Sequence, residues 1–222
     1  MTYRNTKVTI AIPTYNRSRL LKEAMASVLS QDYPDFQVLV LDNASTDETE
    51  TAVRSFQDAR VMYVRNDVNL VCMRNWNRAI ELNSSDYVCL LSDDDLMLPG
   101  FIRESAALLD QHPEVAFSFT PARYVDIDRV PLGIRHTQDM PAGITDGLRY
   151  IELRVEGCRC RIEPSTVMMR AAAIAEVGAF DHLVVRLTRT VANLRSAGVK
   201  ERCASQPASP ELPAAVKSSP PI

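Results

Sequence analysis

Tyr87–Gly100 reads YVCLLSDDDLMLPG, an apolar run that ends in three consecutive aspartates and is closed by Pro99. Tyr87–Leu91 has the length and the aliphatic and aromatic make-up of a buried strand. Pro99 stands where the first turn of a helix tolerates a residue without an N–H. Ile102, Ala106 and Leu109 then recur on one helical face as far as His112–Pro113. The stretch is a strand, an acidic loop and a helix, and the same unit recurs on either side of it.

Towards the N-terminus, Val8–Ile12 (VTIAI) is a strand stopped by Pro13, and the loop PTYNR follows. Between Ser18 and about Gln31, Leu21, Met25, Val28 and Leu29 keep a helical period, with Asn16 or Ser18 as the N-cap. Phe36–Leu41 (FQVLVL) is a second strand, and Ser45-Thr46-Asp47-Glu48 offers a capping box for a helix to about Gln57. Arg60–Arg65 is a third strand, and Leu70–Asn83 carries Trp76, Ala79, Ile80 and Leu82 at helical spacing. Val115–Phe119 supplies a fifth strand. Such alternation predicts an α/β, Rossmann-like layered domain with a mainly parallel central sheet flanked by helices, whose ligands bind beyond the carboxyl ends of the strands. PTYNR, DNASTD and SDDD all fall at such ends.

Past Thr120 the pattern weakens. Pro164–Arg170 reads as a strand and Ala171–Val177 as a short helix before Gly178. Leu187, Val191 and Leu194 suggest a terminal helix within 182–202, and the Pro-, Ser- and Ala-rich segment 203–222 is expected to stay unordered.

With 222 residues, 46% of them hydrophobic, the chain can build one real core. A net charge of −3 argues against a nucleic-acid partner held by broad electrostatic attraction. No apolar run approaches the roughly 20 residues that span a bilayer. MTYRNTKVT lacks the apolar centre of a signal peptide, so the expectation is a cytoplasmic protein. The five cysteines fit neither a disulfide framework nor a zinc spacing. They read as free thiols, although Cys158 and Cys160 could take a metal with one further ligand.

Adjacent carboxylates repel, so Asp93–Asp95 at the mouth of a sheet need a cation, hydrogen-bond donors or water around them. Mg²⁺ or Mn²⁺ takes only one or two protein carboxylates when phosphate oxygens complete its shell, which suits a nucleotide-diphosphate site. The alternative is that the aspartates solvate a turn and cap the next helix. PTYNR could present an aromatic face to a base, or Asn16 could simply cap a helix. Asp42 or Asn43 could bond a base or ribose, or the loop could serve only the capping box.

Taken together and in this order, IPTYNR at 12–17, VLDNASTDET at 40–49 and YVCLLSDDDLMLPGF at 87–101 resemble family-2 glycosyltransferases of the GT-A fold. NLVCMRNWNRA at 69–79 looks like the family's segment before the metal motif, with Val71 where glycine is usual. PSTVMMRAAAIAEVGAFD at 164–181 looks like its acceptor-side segment, so the resemblance covers residues 7–181. It implies a nucleotide-sugar-binding part over about 7–120 and an acceptor-side part over about 121–181. Pro13, Thr14, Tyr15 and Asn16 would line the nucleotide pocket, and Asp42 and Asn43 would contact the base. Asp93 would lie near the ribose, with Asp94 and Asp95 as ligands of Mn²⁺ or Mg²⁺.

The implied partners are a nucleotide-diphospho-sugar donor and a glycan or lipid-linked acceptor, the latter allowing peripheral association with the cytoplasmic face of a membrane. The family's acidic base lies past Gly178–Asp181, but from His182 to Lys200 this chain carries no acid. A frame shift or premature end would account for that, as would a family variant with a short divergent tail. The catalytic base is therefore unassigned, and the competing expectations are a homologue that binds donor without transfer, and a nucleotidyltransferase.

Overall fold

A computed structural model describes residues 6–126, 128–135, 143–155, 162–180, 202–205 and 215–218. Four parallel strands build its first half: β1 (Val8–Thr14), β2 (Phe36–Asp42), β3 (Val61–Arg65) and β4 (Tyr87–Leu90), in the order β3-β2-β1-β4. Val8 lies opposite both Phe36 and Tyr87, so these strands start level, and β4 ends at Leu90 opposite Ala11 while β1 and β2 run on to Thr14 and Asp42. Every residue of β2 is buried, Gln37 and Asp42 included, because both faces of the sheet are covered.

The strand period of two distributes the core. Val8, Ile10, Ile12, Val38 and Val40 meet one face's helices, α1 (Ser18–Leu29) and α4 (Phe101–Gln111), through Leu21, Met25, Val28, Phe101, Ile102 and Leu109. Ala11, Leu39, Leu41 and Leu90 pack on the other face with Ala79 and Trp76 of α3 (Cys72–Glu81). Phe180 meets the Trp76 ring edge-on at 5.9 Å, and the Asn77 amide bonds both the N–H and the C=O of Phe180.

The second half departs from a parallel sheet. β9 (Val167–Arg170) lies antiparallel between β4 and β5 (Val115–Phe119). Arg170 fixes it there, donating to the carbonyls of Leu109 and His112 at the end of α4 and of Val115 in β5. A cation is favoured at a helix C-terminus, where carbonyls lack intrahelical partners. Pro164–Thr166, expected to be strand, is a 3₁₀ turn leading into β9.

β6 (Ala122–Val125) and β7 (Pro131–Arg135) begin a separate small sheet, and β8 (Gly143–Asp146) leads into α5 (Gly147–Val155). α6 (Ala171–Val177) follows β9 as read from the sequence. Two stretches of the segment expected to be unordered pair as strands, β10 (Arg202–Ser205) on β5 and β11 (Ala215–Ser218) on β6. Ladder hydrogen bonds use backbone groups, which a sequence poor in large apolar residues still supplies. The helix expected around Leu187–Leu194 lies outside the described residues, as do Cys158 and Cys160. Among the described residues, no helix is long and apolar enough to cross a membrane.

The base of the sheet holds a titratable cluster. Lys7 Nζ and the Tyr87 hydroxyl both donate to Asp110, at 2.8 and 2.7 Å. Burial pushes the Asp110 carboxyl up, but these bonds and the Lys7 and Arg170 charges outweigh it and hold it below the usual range. A depressed carboxyl stabilises the fold above its unfolded value of about 4, and that contribution is lost as pH falls through the lower folded value. Asp110→Asn is therefore expected to lower the denaturation midpoint at pH 7, with the deficit shrinking below about pH 4. Urea titrations of both proteins at pH 7 and pH 3 check this.

Candidate functional site

In the order β3-β2-β1-β4, the chain proceeds from β1 to β2 and β3 on one side, then returns to place β4 on the other side of β1. The strand order reverses at β1, and ligands of open α/β sheets bind at the carboxyl edge beside such a point. A cleft of about 710 Å³ lies there. Pro13 and Thr14 line it from the end of β1, Tyr15 and Arg17 from the loop that follows, Asn43 from the second loop, Asn69–Val71 from the third with Cys72 at the start of α3, and Ser92–Asp94 from the fourth. Asn75, Trp76, Leu90 and Leu91 complete its surface.

The Thr14 hydroxyl donates to Asp93 Oδ2 at 2.8 Å, tying the end of β1 to the acidic loop across this switch point. Arg17 Nη1 lies 3.2 Å from Asp93 Oδ1 and 3.1 Å from Asp94 Oδ2. Burial is the largest influence on Asp93 and raises its carboxyl above the usual range. The Thr14 bond and the Arg17 charge pull against it, and the neighbouring Asp94 charge adds to the rise. One cationic nitrogen thus sits between two adjacent carboxylates.

Of the residues chosen from the sequence, Pro13, Thr14, Tyr15, Asn43, Asp93 and Asp94 meet at this cleft. Asn16, Asp42 and Asp95 do not line it. Asn16 adopts a left-handed φ of 53°, accepts the Thr46 N–H on Oδ1 at 2.7 Å, and donates its own N–H to Ser45. It stitches two loops together instead of capping α1. Asn tolerates that backbone region better than most residues. Ser45 is thereby taken, so the expected capping box does not form. Asp47 serves both helix starts, accepting the Ser18 N–H on Oδ2 and the Thr49 N–H and hydroxyl on Oδ1. The second helix accordingly begins late, as α2 (Thr49–Arg54).

Asp42 is fully buried. Its carboxylate accepts the Ser45 N–H at 2.8 Å, the Tyr63 hydroxyl and Arg65 Nη1. Burial, followed by this bond to Asp42, pushes the Tyr63 phenol up to about 12. Asp42, expected to contact the base, fixes the strand end here and does not line the cleft. Asp95 is likewise fully buried, taking a hydrogen bond from the Ser165 hydroxyl just before β9. The metal pair expected from the sequence, Asp94 with Asp95, is split, and the two acids that face the cleft are Asp93 and Asp94.

Asn43 lines the cleft, but its amide is committed. Oδ1 accepts the Leu70 N–H at 2.7 Å while Nδ2 donates to the Leu70 carbonyl at 2.6 Å and to Asn69 Oδ1 at 2.9 Å. Asn66 also donates to Oδ1, at 3.0 Å, and links onward to Asn75 at 2.8 Å. The Asn43 amide therefore holds the loop over 66–71, the outer wall of the cleft. Val71, where the resembling family has glycine, sits at φ −62° and ψ 149°, a conformation open to any L-residue.

Arg17, Asn69, Cys72 and Asn75 had no role assigned from the sequence. Arg17 belongs to the quoted PTYNR, yet its role is set by aspartates more than 70 positions away. Cys72 is an exposed free thiol, and burial with the Asp93 charge raises it away from the thiolate. Cys89 is buried and free, as expected.

The arrangement accords with the comparisons. The model of Glycosyl transferase family 2 matches residues 9–177. GalNAc(5)-diNAcBac-PP-undecaprenol beta-1,3-glucosyltransferase of Campylobacter jejuni is 34% identical over 97 residues, which are 42% of this chain and 31% of that protein. S. aureus TarS 1-349 in complex with UDP-GlcNAc superposes with a TM-score of 0.77 at 18% identity, over 97% of this chain and 59% of that one. The mannosyltransferase PcManGT from Pyrobaculum calidifontis, in complex with GDP-Man and Mn²⁺, gives 0.66 at 20% identity, over 98% and 58%. At such identities the likeness speaks for the fold, which is GT-A. The chain spans 31 to 42% of the length of the first curated relatives it matches. The switch-point cleft, the acidic loop beside it and a family model that covers most of the sequence lead to one conclusion: this chain belongs to glycosyltransferase family 2.

Proposed function

We propose that the chain binds a nucleotide-diphospho-sugar in the switch-point cleft and takes part in transferring its sugar, with inversion, to a hydroxyl of a glycan or lipid-linked acceptor. The observation that carries this reading is the position of Asp93 and Asp94 at one corner of a cleft otherwise walled by Pro13, Tyr15, Leu70, Trp76 and Leu90. Apolar and aromatic walls suit a base and sugar, and the charged corner suits the diphosphate.

The residues fit a divalent ion. Arg17 Nη1 already stands in for a cation between the two carboxylates. Two carboxylates are what Mn²⁺ or Mg²⁺ takes when phosphate oxygens fill the rest of its shell. Asp94 and Asp93 would hold it, where it would neutralise charge on the departing diphosphate.

This chain's own groups orient the donor. Thr14 keeps Asp93 pointed at the corner, the Asn43 clasp sets the outer wall, and Tyr15 and Trp76 offer aromatic faces. In the reaction the acceptor oxygen forms a bond to the anomeric carbon as the carbon–oxygen bond to the diphosphate breaks, and a base removes the hydroxyl proton. The relative named for a PP-undecaprenol glycan and the UDP-GlcNAc and GDP-Man complexes support a glycoconjugate setting. That setting supports a cytoplasmic protein that works at the membrane face where the acceptor is lipid-linked.

A second reading, donor binding without transfer, is favoured by the absence of acids from His182 to Lys200. Purified protein incubated with Mn²⁺, radiolabelled nucleotide sugars and an acceptor panel separates the two. Transfer or slow donor hydrolysis supports the enzyme, and saturable binding with no turnover overturns it in favour of the second reading.

A further inference from the structure

The aspartate corner contains its own cation. Arg17 Nη1 bridges Asp93 Oδ1 and Asp94 Oδ2, at 3.2 and 3.1 Å, and so stands between the same two carboxylates that would hold a divalent ion. Its backbone is fixed, because the Arg17 carbonyl accepts the Leu21 N–H at 3.0 Å as α1 begins. The side chain, by contrast, is 51% exposed, whereas Asp93 is 8% exposed. Asp93 is also held from the opposite side by Thr14, on its other oxygen, so it keeps its orientation whether or not Arg17 is engaged. A tethered, half-exposed cation on a rigidly presented carboxylate pair is an arrangement in which the cation can leave and the carboxylates stay.

We propose that Arg17 is an exchangeable counter-cation: it screens Asp93 and Asp94 while the cleft is empty, yields their shared position to the divalent ion, and then turns its charge onto the donor's diphosphate. This rests on the donor-site reading above and adds a residue that determines how metal and nucleotide are coupled. Charge balance gives the reason. Two carboxylates with Arg17 carry one net negative charge, and with a divalent ion in its place they carry none. The freed guanidinium remains on the cleft wall, where a planar fork of donors matches phosphate oxygens. Arg17 therefore opposes metal binding when no nucleotide is present and favours nucleotide binding once metal is bound.

The two effects have opposite signs, which makes the assignment testable without turnover. For Arg17→Ala and Arg17→Gln, Mn²⁺ alone is titrated and the free ion counted by electron paramagnetic resonance. UDP, GDP, dTDP and CDP are then titrated at saturating Mn²⁺ through the fluorescence of Trp76, the chain's single tryptophan, which lines the cleft. Relative to wild type, both variants are expected to bind Mn²⁺ about tenfold more tightly and the preferred nucleotide about tenfold more weakly, the scale of one charge-assisted contact. The side chain is half exposed, so thermal melts should coincide with wild type and exclude misfolding as the cause. Unchanged or weaker Mn²⁺ binding in the variants, with wild type binding both ligands, overturns the role of Arg17 and leaves the donor site standing. Wild type that binds neither Mn²⁺ nor any of the nucleotides overturns both.

Discussion

Asp94→Ala is expected to reduce Mn²⁺-dependent nucleotide affinity by at least about 100-fold while leaving the thermal midpoint close to wild type. Losses on changing residues that merely orient metal ligands run from about 10- to 100-fold, and removing a ligand takes away both charge and geometry. The Asp94 side chain is 27% exposed, beside the Arg17 guanidinium at the cleft rim, so its removal opens no cavity in the core. Its neighbour provides the contrast. Asp95 is fully buried against Ser165, so Asp95→Ala should cost about 2 kcal/mol of stability, the scale of a hydrogen bond to a charged group, and change Mn²⁺ affinity little. Isothermal titration with Mn²⁺ and urea denaturation of both variants decide the matter. A folded Asp95→Ala that loses Mn²⁺ beside an Asp94→Ala that keeps it would reverse the assignment made from the cleft.

That contrast shows where the sequence is informative and where it is silent. β2 is legible because burial on both faces demands an unbroken run such as FQVLVL, and α1 is legible because Leu21, Met25 and Val28 must all meet the sheet. Those demands are local and periodic. The three aspartates are chemically identical, and their separation into cleft and core depends on Thr14, Arg17 and Ser165, all about 70 or more positions away. Asn16 fails as a cap for a related reason: residue types that cap helices are also those that join loops, and its partner Thr46 is invisible to a local window. β9 is recognisable as a strand from PSTVMMR, but its antiparallel insertion depends on Arg170 finding the carbonyls at the end of α4. Resemblance selects six residues that line one cleft, because motif order survives these details. It does not show that Asp42 and Asp95 are buried away from the cleft lining, which depends on them.

Asn43→Asp provides the sharpest separation between a base contact and a structural clasp, because it keeps an acceptor and removes the amide donor. If position 43 read the base, an aspartate would preserve or improve nucleotide binding. In this structure Nδ2 donates to the Leu70 carbonyl at 2.6 Å and to Asn69 Oδ1 at 2.9 Å, so a carboxylate would face two acceptors. The Leu70 N–H and C=O fix which end of the amide points where, since one can only donate and the other only accept. Asn43 is 7% exposed, and the new charge would also neighbour the buried Asp42. The expected cost at neutral pH is about 3 kcal/mol, the scale of a buried, uncompensated charge, and the loop it releases should weaken nucleotide binding by about tenfold or more. A protonated acid can replace the amide, donating to one Leu70 group and accepting from the other. Its folded pKa is thus raised, so the penalty is absent at about pH 4 and grows as pH rises through the folded value. Denaturation and Trp76 fluorescence titrations at pH 5 and pH 8, each set against wild type at the same pH, should show the variant recovering at the lower pH. Nucleotide affinity and stability equal to wild type at pH 8 would mean that the amide does not hold the wall of the cleft, and would return position 43 to the base.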